Sequence, residues 1–337
     1  MRWHSVAVVP RNVDPSMARP VLALRPTIPC LTALLLACAG PVAAADTTAT
    51  RVRIDQDELR SGDHVLHLQI APDIDPDRAR VLRAWLAETA QATLAAYGRF
   101  PLPDATIRVS EVDDRGSSPV PWGQTSRRNS VAVLLYVRKG ASLAELRADW
   151  TAVHELSHLF HPYLGDDGRW LAEGLASYYQ NVLRARSGLL DEAEAWRRLD
   201  AGFGRGRRED SGMRLDELSG TRHGTMRVYW AGAAYWLETD LALRERDSSL
   251  DAVLSRYADC CLSGSGEVAP ADFVAQLDRL AGGDIFSQTY RRYAASREFP
   301  SLDAAYAKLG LTGTSGELHF SDRNDAVRLR RAVMGRR

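Results

Sequence analysis

The stretch Trp150-Thr151-Ala152-Val153-His154-Glu155-Leu156-Ser157-His158-Leu159-Phe160-His161-Pro162, followed by Gly168-Arg169-Trp170-Leu171-Ala172-Glu173-Gly174-Leu175-Ala176-Ser177-Tyr178-Tyr179, decides how this chain is read. Apolar residues recur at helical spacing in both segments. The turn between them, Leu164-Gly165-Asp166-Asp167-Gly168, is short enough to force an antiparallel helical pair. At 3.6 residues per turn, His154 and His158 share one face of the first helix. Glu155 is rotated about 100° from His154, which sets it beside that face rather than on it. Glu173 then returns level with His158 and faces the first helix.

Two imidazoles and one carboxylate make a three-residue ligand set that leaves a fourth position open, the arrangement catalytic zinc requires. We therefore expect His154, His158 and Glu173 to hold one Zn2+ per chain, with Glu155 taking a proton from water. A carboxylate buried in a helix seam is costly without a partner, and a cation is such a partner. Two incidental histidines on a surface helix are the bland alternative, and Glu173 on a second helix weighs against it. Ser142 followed by Glu145 forms a capping box, so the first helix is expected over about 143–161, ending at Pro162. Gly174, without a side chain, is expected to let the two helices of the hairpin approach closely.

Other residues give weaker signals. His161 lies one turn past His158 and is expected as an imidazolium at a helix C-terminus rather than as a ligand. Ser177, one turn after Glu173, is a candidate to orient a ligand from behind. His223 opens another helix near Tyr229 and reads as an exposed turn histidine, with oxyanion donation as the alternative. His64 and His67 fall on opposite faces of a strand and cannot share a site.

The pair His-Glu-x-x-His and Trp-Leu-x-Glu-Gly-x-x-Ser-Tyr-Tyr resembles the gluzincin metallopeptidases, the glycyl aminopeptidase family above all and aminopeptidase N more distantly. The likeness continues through Arg186-Ser187-Gly188-Leu189-Leu190, Tyr229-Trp230-Ala231-Gly232 and Ser249-Leu250-Asp251-Ala252-Val253-Leu254, over roughly residues 120–311. It implies a thermolysin-like catalytic domain and hydrolysis of peptide bonds in a peptide or protein substrate. It also implies an oxyanion-stabilising role for Tyr229, in the place of the family's Tyr-x-Lys-Gly element, although Ala231 replaces the lysine. Read without the resemblance, Tyr229, Trp230, Tyr235 and Trp236 are an aromatic helix packed into a core. Residues 119–125, followed by a strand at 130–137, fall where related enzymes carry a substrate-binding edge strand. Gln124 stands there in place of the acidic residue with which aminopeptidases of this kind capture an α-amine. Two other functions remain open: a catalytically silent gluzincin-fold binding or scaffold protein, and a zinc hydrolase of a non-peptide amide or ester.

Outward from the motif, the texture changes near residue 140. Before it, alternating segments at 64–70, 105–112 and 130–137 read as strands. One helix opens at Asp75-Pro76 and stops at Gly98. After it, helices are expected at about 168–187, 190–203, 223–246, 249–261, 270–281, 285–296 and 301–309. The fold class is α+β, with a mixed α/β lobe over 46–140 followed by a helical metallopeptidase lobe over 141–311. Residues 312–337 read as a short strand near 317–320 and a basic, frayed tail.

Hydrophobic residues make up 45% and charged residues 26% of the chain, as in an ordinary globular protein. Lys+Arg and Asp+Glu are both 43; the first 45 residues take four arginines and one aspartate, leaving 39 basic and 42 acidic. That balance gives no electrostatic reason to expect nucleic acid as a partner. Residues 29–39 form an apolar run of signal-peptide length preceded by Arg19 and Arg25, and Ala43-Ala44-Ala45 offers a cleavage site. Residues 1–45 are thus expected as a signal peptide, starting at Met1 or Met17, with export to the periplasm or beyond. A lipid at Cys38 is the alternative. No later segment is apolar for long enough to cross a bilayer. Cys260 and Cys261 are adjacent, with Cα atoms about 3.8 Å apart, closer than disulfides prefer, and are expected as unpaired packing residues.

Overall fold

The computed structural model describes residues 51–127, 130–209, 211–313 and 317–336; the signal peptide expected over 1–45, with Met17 and Cys38, lies outside them. The chain opens with strands β1 (Arg53–Asp55), β2 (Glu58–Ser61) and β3 (His64–Ile70). Helix α1 (Pro76–Leu94) follows, then β4 (Asp104–Val112), β5 (Trp122–Ser126) and β6 (Ala132–Arg138). These strands form one sheet in the order β1-β2-β3-β4-β6-β5. β3, β4 and β6 run parallel, and β5 closes one edge antiparallel to β6, with Gln124 opposite Leu134.

Local chemistry explains these limits. Asp75 accepts the amides of Asp77 and Arg78, and Pro76 supplies a fixed φ at the first turn of α1. Gly98, at φ +84°, returns its amide to Leu94. Leu82, Trp85 and Leu86 of α1 pack with Ile107, Val109, Val133 and Leu135 of the sheet into one apolar cluster.

The remainder is helical: α2 (Leu143–Ala148), α3 (Thr151–Ser157) with a 3-10 turn at His158–Phe160, α4 (Arg169–Ser187) and α5 (Glu192–Arg208). Then come α6 (Leu215–Ser219), α7 (Thr225–Arg244), α8 (Leu250–Cys260), α9 (Pro270–Ala281), α10 (Ile285–Ala294) and α11 (Asp303–Leu309). A small hairpin of β7 (Leu311–Thr312) and β8 (His319–Phe320) leads to α12 (Asn324–Met334). The order is the α+β one read from the sequence: sheet first, helices after. No helix among the described residues is long and apolar enough to cross a membrane.

Four expectations are corrected. The single helix over 143–161 is two. The capping box at Ser142 starts α2, and Asp149 then adopts extended backbone (φ −74°, ψ 151°) and accepts the Thr151 amide at 2.7 Å, restarting the chain as α3. Gly174 does not serve the α3–α4 contact. A Cβ there would lie 2.4 Å from Gly232 Cα, and one on Gly232 would lie 1.9 Å from Trp170 O, so the close approach is between α4 and α7. The basic tail is not frayed, because α12 buries Ala326, Arg330, Val333 and Met334. Arg330 donates to Leu309 O at 2.7 Å and to Ser321 O at 2.8 Å. Finally, Cys260 and Cys261 form a disulfide across a Cα separation of 3.7 Å. Cys261 has left the helix (φ −142°, ψ −17°), which frees its side chain to turn back toward its neighbour.

Candidate metal centre

Every residue of α3 is buried, so its side chains answer to neighbours rather than to water. His154, His158 and Glu173 come together, with one ligand atom from each within 4.8 Å of the others. Glu173 Oε2 lies 3.2 Å from His154 Nε2 and 3.6 Å from His158 Nε2.

The rings are oriented by what lies behind them. His154 Nδ1 is 2.8 Å from Gln180 Oε1, two helical turns past Glu173 on α4. His158 Nδ1 is 3.0 Å from His161 Nε2, and His161 Nδ1 is 2.6 Å from Pro162 O. A carbonyl can only accept, so His161 Nδ1 carries the proton and its Nε2 accepts from His158 Nδ1–H. By the same reasoning His154 Nδ1–H donates to the Gln180 amide oxygen. Both ligand histidines are thereby left with Nε2 lone pairs toward Glu173. Two lone pairs and a carboxylate oxygen facing one another call for a cation, and this nitrogen–oxygen donor set suits zinc.

Where no cation sits among these atoms, a proton on the histidines compensates Glu173 in its place. Burial acts to raise the Glu173 pKa, but His158 and the hydrogen bonds from both histidines hold it well below the carboxylate range. Burial acts to lower His154, and Glu173 outweighs it, leaving a raised pKa. His161 is pushed well below the ordinary histidine value, by burial first and then by His158 and Arg127. The imidazolium expected at His161 is thus corrected: the ring is buried and neutral, because the charge of Glu173 does not outweigh burial and the neighbouring His158 and Arg127. Orientation from behind falls to Gln180 and His161; Ser177 is buried on α4, where Asn181 takes its carbonyl.

Glu155 is held from the sheet side. Thr125 Oγ1 lies 2.8 Å from Glu155 O and 3.1 Å from Glu155 Oε2. A Cβ on Gly123 would come within 2.7 Å of Glu155 Cγ, so only glycine lets β5 lie this close. Burial raises the pKa of Glu155, partly offset by the two histidines. Gln124 is exposed on the same strand. Beyond the strand, Arg127 donates to His158 O at 2.8 Å, His161 O at 2.6 Å and Ser263 O at 3.3 Å, and burial brings its pKa down to about 10.

Tyr229 stacks on His154 with ring centroids 5.9 Å apart and planes 7° from parallel. Burial, then the charge and hydrogen bond of Glu173, push its hydroxyl well above the usual phenol range. Ala231 is buried in α7, His223 is exposed in the turn before that helix, and His64 and His67 lie on β3 with Leu102 O and Asp104 as their respective partners. The sequence reading missed Gly123, Thr125, Arg127 and Gln180. Of these, Gln180 alone left a signal, its two-turn spacing from Glu173.

A sheet with a free edge strand, lying on a helix that offers two histidines to a glutamate of the next helix, is the gluzincin metallopeptidase fold. Solved structures share it. An aminopeptidase N family protein from Idiomarina loihiensis matches at TM-score 0.57, with 18% identity, 76% of this chain and 49% of that one covered. A variant of a two-domain M1 zinc metallopeptidase bound to L-arginine matches at TM-score 0.50, with 17% identity, 73% of this chain and 52% of that one covered. The chain therefore spans about half the length of these structures. The sequence profile of the M61 glycyl aminopeptidase family matches residues 155–230, a stretch holding Glu155, His158, Glu173 and Tyr229. No curated protein matches the chain.

Proposed function

We propose that this protein is a zinc-dependent metallopeptidase that hydrolyses peptide bonds outside the cytoplasm, with Glu155 as general base. The observation that carries the reading is the convergence of His154, His158 and Glu173 within 4.8 Å, with Glu155 buried beside them. Zinc bound there supplies Lewis acidity and lowers the pKa of a water toward roughly 7. Glu155, with its pKa raised by burial, takes a proton from the attacking water and returns it to the leaving amine. Thr125 and Gly123 fix its carboxylate at the sheet edge. Tyr229, kept protonated by burial and by neighbouring carboxylates, donates to the substrate oxygen as charge develops on it.

The free edge of β5 suits a substrate that adds as an extended strand. Its residues Trp122–Ser126 include no carboxylate, so this strand does not itself supply a clamp for an α-amine. Export is supported by the apolar run and alanine triplet of the leader, and a disulfide fits an oxidising compartment.

Zinc content and turnover of a quenched-peptide library, measured on residues 46–337 and on Glu155→Gln, test this together. We expect one zinc per chain in both proteins, and turnover that chelator abolishes and Glu155→Gln reduces by about a hundredfold or more. Zinc with no turnover of any peptide transfers the assignment to a binding protein on the same fold. Absence of zinc overturns the metal site itself.

A further inference from the structure

Arg169 is the first residue of α4, one turn before Glu173, so its side chain leaves the helix on the face that delivers the metal-binding carboxylate. Its guanidinium is incompletely engaged: Nε and Nη2 are shielded from solvent and neither meets a hydrogen-bond acceptor. No carboxylate among the described residues comes within ion-pair distance of it.

Other buried arginines of the helical lobe also keep idle donors, Nε and Nη1 of Arg184 among them, but each makes at least one side-chain hydrogen bond, and among the described residues Arg169 makes none. Arg186 pairs with Asp251 at 3.0 Å and donates to Val333 O. Arg184 donates to Ala148 O, and Arg227 to Met213 O and Ser296 O. A guanidinium with idle donors costs the fold stability, and an acceptor arriving with a ligand offsets that cost. Its planar fork matches a carboxylate, which can take two of its N–H groups at once.

We propose that Arg169 is a specificity-determining residue of the site, binding a carboxylate of the substrate peptide beside the metal centre. The proposal rests on the peptidase reading above. The carboxylate is supplied either by an Asp or Glu side chain or by the peptide's own C-terminus, and both are the same ligand to a guanidinium.

The test compares wild type with Arg169→Met, which keeps the apolar stem, and Arg169→Lys, which keeps charge without the fork. Matched peptides differ by Glu against Gln at each position in turn, and by a free against an amidated C-terminus. Both turnover and calorimetric binding are measured, with zinc content as the control on the site. Wild type is expected to prefer the acidic member of one pair by about ten- to a hundredfold, expressed in KM and in Kd rather than in kcat. Arg169→Met is expected to abolish that preference with zinc content unchanged, and Arg169→Lys to restore part of it. A preference confined to Glu over Gln assigns the side chain, and one confined to acid over amide assigns the C-terminus. Binding or cleavage by wild type without regard to carboxylates, or a preference that survives Arg169→Met, overturns the proposal and leaves the peptidase reading intact. Failure of wild type to bind any peptide overturns both.

Discussion

His161 shows how much of this centre is decided one atom at a time. Its Nδ1 is committed to Pro162 O, so its Nε2 has to accept, and this fixes the tautomer of His158. Replacing it with phenylalanine keeps the buried volume and removes the acceptor. Zinc affinity is expected to fall about ten- to a hundredfold, read by competition with a chelating dye; unchanged affinity would show that His158 needs no such partner. Glu155 predicts two pH effects of definite sign. It must be ionised to act as a base, and its pKa is raised above the ordinary 4.5, so the acid limb of kcat/KM should lie above that value. A carboxyl with a raised folded pKa holds its proton more tightly folded than unfolded, so the ionised form costs stability at neutral pH. Glu155→Gln is therefore expected to raise the Tm of the metal-free protein at pH 7, and to do so less as the pH falls through the pKa. The placing of His154, Glu155 and His158 was readable in the sequence because a helical period fixes it locally, and that of Glu173 because a short turn brings the next helix back antiparallel. Thr125 and Gly123 were not, since their effect depends on β5 lying against α3.

At the scale of elements, the same distinction separates what pattern can show from what packing decides. The break between α2 and α3 rests on one aspartate capping Thr151 within a run whose apolar period never pauses. Asp149→Ala is expected to cost about 1 kcal/mol, measured by denaturant unfolding. Gly174 was correctly picked out as a place of close approach, yet sequence could not say that its partner is Gly232 on a helix some fifty residues later. Gly232→Ala sets a methyl against the Trp170 carbonyl and is expected to destabilise by about 1–3 kcal/mol or more. The same change at exposed Gly266, at φ +90° with open space around it, brings backbone strain without a clash, which separates the two causes. In α12 the buried positions 326, 330, 333 and 334 do follow a helical stripe, but Arg330 lies within it, and its charge makes the segment look like a solvated tail.

For the molecule as a whole, metal and fold are coupled. Any zinc held by α3 and α4 binds the folded chain alone, so a chelator is expected to lower Tm by an amount that grows with affinity. An unchanged Tm with zinc demonstrably removed would mean that the site is built without help from the metal. The sheet-then-helices order was legible because strand and helix periods differ and the change falls at one place. The Cys260–Cys261 pair was hidden, since the usual spacing rule argues against it and only the departure of Cys261 from the helix overrides that rule.

The contact of Gly174 with Gly232 has a bearing on motion. It is backbone against backbone, one residue from Glu173 and three from Tyr229, so no side-chain rearrangement is available to absorb a shift between α4 and α7. Glu173 and Tyr229 thus sit on one rigid side of the candidate site. The opposite side is β5, which among the described residues pairs with the sheet along one edge only. If the proposed peptidase activity holds, whatever yielding turnover demands falls to that strand, while the side that carries the carboxylate and the phenol stays fixed.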